Sequence, residues 1–547
     1  MNNSQYTAFN IFSIIAAYII ATLGTIILLG YDFSYGVFFN LWADTLQPLS
    51  KGISINPNQE LMIITGGSIG LGLLMAIFNP FPKSVRYGDA RWAGKRDLKK
   101  MGLLEKEGMI LGLWKGKLLR SKDYLSVMFI APPNSRKSTG LMIPNLLSCG
   151  DTIIAYDVKF DLFNETSKRR GEFSEVLRFS PALKDSCCFN PLALKIIGED
   201  WDDIVADVER LSTIIYPDPI KGGDTHWIEG ARIVFTFFAL KNIRENKETS
   251  IPLIRSTALE TSAFALEDDD GEIIAEGTKG WLASFLDENE DDLPEQILLR
   301  GNDLLGRPEK EFGSVFGTFT TALNGFADSR CGRAFSSCDF SPQSLREKRT
   351  TLYVCVSDKD SKRFSTPIRI LLETLNSYFL STKPKAKHFG VLNLLDEFPR
   401  LGKMDVIMDA PALQRSNRIR TIFCAQAESQ ITEIYGKEKL ETVKSSCAFN
   451  IFTAQTDDVL NEKISKNTGN FTDIKTTESK SNGKISTSKS EEKKPLILPQ
   501  EVGSLPPGEM ILHVQGFRDR PIRGQLALFY KNEVMKKMTG CTQEKIE

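Results

Sequence analysis

Tyr124–Ile130 reads YLSVMFI, Ala131–Gly140 continues as APPNSRKSTG, and LMIPNLL follows over 141–147. The first run is β-branched and aromatic, which predicts a buried strand. The Pro-Pro-Asn-Ser stretch predicts a tight turn, and the third run opens a helix. Strand, tight turn and helix form the setting of a phosphate-binding loop. There, backbone N–H groups at the helix start hold phosphates, a Lys reaches the β- and γ-phosphates, and a Ser/Thr hydroxyl ligates Mg2+. The pattern GxxxxGK[ST] is met at Lys137 and Ser138 but at neither glycine, since Ala131 and Arg136 stand there. An Arg forced into the left-handed conformation that glycine supplies bears strain of about 1–2 kcal/mol. It also puts a large side chain in the cradle. Two readings stay open: Arg136 is tolerated and its charge helps bind nucleotide phosphate, or the loop is a hydrolysis-defective version of an active ancestor. Asn134, Ser135, Arg136, Lys137, Ser138 and Thr139 are the candidate nucleotide-binding residues.

Working outward, residues 388–398 read HFGVLNLLDEF, an apolar strand ending in two acids. This fits a Walker B strand, with Asp396 positioning Mg2+ through water alongside Ser138 and Glu397 polarising the water that attacks the γ-phosphate. Residues 420–426, RTIFCAQ, predict another strand, tipped by Gln426, where RecA-like motors place a polar γ-phosphate sensor. Between the two strands a predicted helix carries Arg415, which could reach a neighbouring subunit's nucleotide as an arginine finger. A solvated basic helix face is the plainer account of it. Loop, Asp-Glu strand and Gln strand, in that order, are far more specific than any one of them.

The composition permits this chemistry. With 547 residues, 41% hydrophobic and 25% charged, the chain can fill a large core. Net charge is −1, from 68 Lys+Arg against 69 Asp+Glu, so there is no overall basic footprint for nucleic acid. The nine cysteines form no CxxC pair and the three histidines stand far apart, which argues against a metal centre or a His-based site.

Residues 9–30 and 61–81 are uncharged apolar runs, each of about the 20 residues that span a bilayer. No Lys or Arg precedes the first and a second follows it, which opposes a signal peptide. The intervening loop has only Lys51 as a cation, whereas Lys83, Arg86, Arg91, Lys95, Arg96, Lys99 and Lys100 follow the second run. The positive-inside rule therefore puts the bulk of the chain in the cytoplasm behind a two-span anchor, 1–82.

Several ordered blocks resemble the type IV secretion coupling proteins, the TraG/VirD group of conjugation and effector-export ATPases. They are YGDARWA (87–93), STGLMIPNLL (138–147), IIAYDVKFDLFNETSKRRG (153–171), FNPLAL (189–194), LLDEFPRLGKM (394–404), AQAESQITEIYG (425–436), NIFTAQTDD (450–458) and LILPQEVGSLPPGEMILHVQGFRDRPIRG (496–524). The resemblance implies an ATP- and Mg-dependent motor of the bacterial inner membrane, multi-pass and hexameric. Such a motor passes DNA–relaxase complexes, effector proteins or both to the other secretion components, and contacts single- or double-stranded DNA without sequence specificity. It implies roles for Lys137, Ser138, Asp396, Glu397 and Gln426 as above, and puts Arg415 where the family has its proposed finger. Asp157 and Lys159 fall in the family's DxK segment, where a loop-stabilising pair is the plain expectation. The phosphate loop departs from the family's usual GPTRSGKG, which leaves a non-hydrolysing membrane receptor as the alternative function. An FtsK/HerA-like translocase would be expected to lack the IPNLL and LLDEFPRLGKM blocks.

The fold expected is α/β, a RecA-like P-loop domain with strands near 124–130, 152–157, 351–357, 390–396, 420–425, 449–454 and 509–515. This domain occupies 83–194 and 336–547. An inserted all-α domain, 195–335, interrupts it, with acidic runs at Asp268–Asp270 and 287–292. Residues 474–494, IKTTESKSNGKISTSKSEEKK, carry almost no apolar side chain and predict a mobile loop.

Overall fold

The computed structural model describes residues 87–219, 225–267, 272–481 and 484–539. The expected spans, 9–30 and 61–81, and the acidic run Asp268–Asp270 lie outside the described residues. Among the described residues no helix is long and apolar enough to cross a membrane. The chain divides into two compact units, one of residues 89–471 and 493–547, the other of 1–88 and 472–492.

The larger unit is mixed α/β. Its strands begin with β1 (Met109–Trp114), β2 (Lys117–Ser121), β3 (Val127–Ile130), β4 (Thr152–Val158) and β5 (Glu175–Phe179). A short pair follows, β6 (Ala265–Glu267) and β7 (Ile273–Glu276), then β8 (Thr350–Val356), β9 (Val391–Leu395), β10 (Ile419–Ala425) and β11 (Phe449–Phe452). The hairpin of β12 (Asn470–Ser481) and β13 (Lys484–Pro495) falls mostly in the smaller unit, and the larger unit ends with β14 (Glu509–Val514) and β15 (Ile522–Gln525). Eleven strands form one sheet in the order β2-β1-β15-β14-β11-β3-β10-β9-β4-β8-β5. From β11 to β5 every neighbouring pair is parallel. The four strands beyond β11 are antiparallel. All seven strands expected from the sequence are present.

The central strands are apolar on both faces because both faces are covered. Met128 and Ile130 of β3, Ile154 and Tyr156 of β4, and Leu352 and Val354 of β8 enter one core. Their alternates Val127, Phe129, Ile153, Ala155, Tyr353 and Cys355 enter the other. This is the period-two alternation of a strand read into two apolar layers.

Between β5 and β8 the chain is mainly helical. Asp200 caps the helix Trp201–Ile215 by accepting from the backbone N–H groups of Asp202 and Asp203. The 21-residue helix His226–Asn246 buries Phe235, Phe237 and Phe238 against the helices Glu295–Gly306 and Glu309–Ala322. The β6–β7 pair is the exception to the helical expectation for this region.

The turn that follows β3 is fixed by its own sequence. Ser138–Met142 is a π-turn running into the helix Ile143–Ser148. Pro144 has no N–H to give the carbonyl four residues back, and that carbonyl, of Gly140, instead accepts from Ala527 N at 3.1 Å. A Cβ on Gly140 would lie 2.7 Å from Leu526 Cβ, so only glycine permits the approach. Asn145, fully buried, accepts from Ile110 N at 2.8 Å and donates to Ile110 O at 2.9 Å, tying the helix to β1.

Residues 474–481 and 484–494 are extended. They form most of β12 and β13, which pair as a two-stranded sheet. In the smaller unit Thr472 N donates to Gly88 O at 3.1 Å, and Lys475 pairs with Glu492 at 3.7 Å. Backbone pairing needs no apolar side chains.

Candidate functional site

Four adjacent parallel strands, β3, β10, β9 and β4, end on one edge of the sheet. Carboxyl edges of parallel strands are where α/β sheets bind ligands. Here β3 delivers the 131–140 loop, β10 ends before Gln426, β9 before Asp396 and Glu397, and β4 before Lys159. These elements line a cleft of about 360 Å3 that contains Asn134, Ser135, Arg136, Lys137, Ser138 and Thr139 together with Asp157, Lys159, Asp396, Glu397, Arg400 and Gln426.

The loop is bent by two non-glycine residues in the left-handed region, Asn134 at φ 61° and Arg136 at φ 66°. The conformation a glycine would supply is therefore adopted by Arg136 itself. Lys137 is almost buried, and its ammonium donates to Ala131 O at 2.8 Å and Pro132 O at 3.1 Å. Ser138 Oγ donates to Asp396 Oδ2 at 2.8 Å, which joins the loop to β9 across the intervening β10.

Burial raises the pKa of the Asp396 carboxyl, against the opposing hydrogen bond from Ser138. Its second oxygen, Oδ1, is buried with no partner among the described residues, as is the Ser135 hydroxyl. Two hard oxygen ligands side by side, one with an unspent lone pair, are the donor set that Mg2+ takes alongside phosphate oxygens. The residues present fit a Mg–nucleotide.

Glu397 also lies in the left-handed region, at φ 53°. Gln426 Nε2 donates to its Oε1 at 2.7 Å, and Arg400 Nε pairs with its Oε2 at 2.6 Å. Arg400 reaches Asp358 as well. Arg400 lies in the LLDEFPRLGKM block, and the sequence alone assigns it no role. Its spacing of three from Glu397, on the short 3₁₀ turn Phe398–Leu401, was the signal that puts both on one side.

Asp157 caps the helix Asp161–Gly171 by accepting from Phe163 N at 2.8 Å, and burial raises its carboxyl to about 7. It does not pair with Lys159, so the loop-stabilising ion pair expected there is absent. Arg415 is the expected residue the cleft does not contain. It precedes β10, at the opposite edge of the sheet, with a mostly exposed side chain whose only ion-pair neighbour among the described residues is Asp123 at 3.9 Å.

The family model described as type IV secretory system conjugative DNA transfer matches residues 91–546. The chain belongs to that family. This coupling protein is 26% identical over 545 residues to conjugal transfer protein TraG of Escherichia coli, covering 89% of this chain and 83% of TraG. It is 28% identical over 497 residues to VirD4 of Agrobacterium fabrum, covering 88% of this chain and 71% of VirD4. Its fold is that of the bacterial conjugative coupling protein TrwB, whose unbound form superposes with a TM-score of 0.59 at 17% identity, over 82% of this chain and 94% of TrwB. TrwB in complex with ADP and Mg2+ matches with a TM-score of 0.59 at 14% identity, over 82% of this chain and 96% of that one.

Proposed function

We propose that this coupling protein is a RecA-like P-loop ATPase that recruits DNA–relaxase complexes, effector proteins or both, and drives them into a type IV secretion channel. The observation that carries this reading is convergence: Lys137 and Ser138 share one cleft with Asp396, Glu397 and Gln426. Sequence distance between the loop and the acids makes such convergence hard to explain without a shared ligand. The capture of ADP and Mg2+ by TrwB supports ATP and Mg as the ligands here.

In this reading the 131–140 loop and Lys137 hold the β- and γ-phosphates, with Ser138 and, through water, Asp396 holding Mg2+, which supplies charge neutralisation when bound. Glu397 polarises the attacking water and Gln426, hydrogen-bonded to it, senses the γ-phosphate. Arg415 acts on a neighbour's nucleotide within a homo-hexamer. Residues 9–30 and 61–81 anchor the ring in the inner membrane with its bulk in the cytoplasm, and the 195–335 insert meets substrate. Contacts to DNA are to phosphate, sequence-independent and salt-sensitive. The test is ATP turnover by the full chain: Lys137→Ala and Glu397→Gln each lower it by about 10²–10⁴-fold. Turnover untouched by both substitutions rules this site out.

One observation favours a second reading, a docking receptor that does not hydrolyse. Arg136 holds the left-handed position of the loop with a long cationic side chain in the cleft. Arg136→Gly separates the two: a large gain from a null background supports the receptor, and equal rates support the motor.

A further inference from the structure

The cleft holds four cations, and they differ in what they do. Lys137 is engaged by loop carbonyls, and Arg400 by Glu397 and Asp358. Arg136 and Lys159 have no side-chain hydrogen bond or ion pair among the described residues. Both are also non-glycine residues in the left-handed region, Lys159 at φ 108° and Arg136 at φ 66°. Phe160, next to Lys159, is left-handed too, at φ 67°. Two consecutive strained residues persist only where the surroundings over-determine them, and such strain gathers at ligand-binding positions. The surroundings here are explicit: Lys159 N donates to Val356 O at 3.2 Å, and Asp157 and the helix start at Asp161 fix the chain on either side. The strained turn places an exposed lysine, with no side-chain partner among the described residues, in the lining of the cleft.

We propose that Lys159 is a second phosphate-binding cation of this cleft, contacting the terminal phosphate of the nucleotide from the wall that faces the 131–140 loop. The assignment rests on the nucleotide reading of the site. β4 stands three strand spacings, about 14 Å, from β3, with Asp396 and Glu397 between them. Lys159 therefore stands across the cleft from the loop that would hold the β- and γ-phosphates. A lysine acts there as a flexible point charge, which suits a ligand that arrives and leaves.

Binding of ADP and of a non-hydrolysable ATP analogue to the full chain with Mg2+ tests the assignment. Lys159→Ala weakens the analogue by about ten- to a hundredfold, the size of a charge-assisted phosphate contact, and ADP by less than about threefold. Lys159→Arg keeps the preference. Lys159→Gly loses it as the alanine variant does, yet raises the thermal midpoint by about 1–2 °C because glycine adopts the turn without strain. Lys137→Ala weakens both ligands. Equal losses for the two nucleotides in the Lys159 variants, or no loss, overturn the assignment and leave the nucleotide site standing. A wild-type chain that binds neither nucleotide overturns both.

Discussion

At Arg136 two small terms oppose each other. Its left-handed backbone costs about 1–2 kcal/mol, while a glycine there loses about 0.5–1 kcal/mol through the freedom it has when unfolded. The difference is near 1 kcal/mol in favour of glycine, so Arg136→Gly shifts the denaturation midpoint only slightly and upward. Any large change in turnover or affinity in that variant therefore reports on the site and not on folding. A fall in stability beyond about 1 kcal/mol contradicts this account of the residue. Asp157 gives a pH-dependent counterpart. Burial first, against the opposing hydrogen bond from Phe163, lifts its carboxyl from 3.8 to about 7, so the folded chain holds this proton more tightly than the unfolded one. The resulting stabilisation is full below about pH 4 and disappears as pH rises through 7. Asp157→Asn keeps an acceptor for Phe163 N and removes the titration. Urea denaturation then shows wild type losing stability relative to the variant between pH 4 and pH 7. A difference that stays constant over that range contradicts the prediction.

Among the elements, the helix Ile143–Ser148 shows what a short sequence block encodes. Asn145 makes three buried hydrogen bonds, two to Ile110 of β1 and one to Leu141 O. Asn145→Leu has similar volume but leaves Ile110 N–H and C=O buried without partners, a loss of about 2–4 kcal/mol in denaturant melts. A loss under 1 kcal/mol would mean that β1 relaxes to pair elsewhere. Asn145 was legible as part of a family block, yet its partner was not, because β1 was not read as a strand. Within the eleven-stranded sheet the strands not expected are β1, β2, β5 and β15, and all lie outside the run from β11 to β8. The edge strand β5, EVLRF, is only partly buried, and β15 is a four-residue segment, IRGQ, with alternating exposure. Half-exposed strands carry a weak apolar signal, whereas the doubly covered β3, β4, β8, β9 and β10 announce themselves. The same limit explains the hairpin β12–β13, whose pairing uses backbone groups that composition does not reveal. Site residues sitting directly at the tips of strong strands, Asp396, Glu397 and Gln426, were readable for the converse reason. Arg400 and the solitary state of Lys159 depend on side-chain partners that spacing alone does not fix.

For the whole molecule the decisive distance is that between Arg415 and the cleft. The seven residues of β10 separate Arg415, before Ile419, from Gln426, after Ala425, which at about 3.3 Å per residue is more than 20 Å. No side-chain rotation brings Arg415 to its own chain's nucleotide, so a finger role requires a second copy. This makes the proposed assembly testable by mixing two dead variants. A Lys137→Ala chain has a ruined loop and an intact Arg415, and an Arg415→Ala chain has the reverse. Each alone is expected to lose turnover, the finger variant by about 10³–10⁵-fold with nucleotide binding retained. Mixed before assembly, they form interfaces at which an intact loop meets an intact Arg415, and turnover returns well above the sum of the separate rates. Wild-type specific activity should also rise steeply with protein concentration, since sites are completed only on association. Mixtures that stay as inactive as their components, with Arg415→Ala alone turning over ATP at the wild-type rate, would return Arg415 to an ordinary solvated position at the far edge of the sheet.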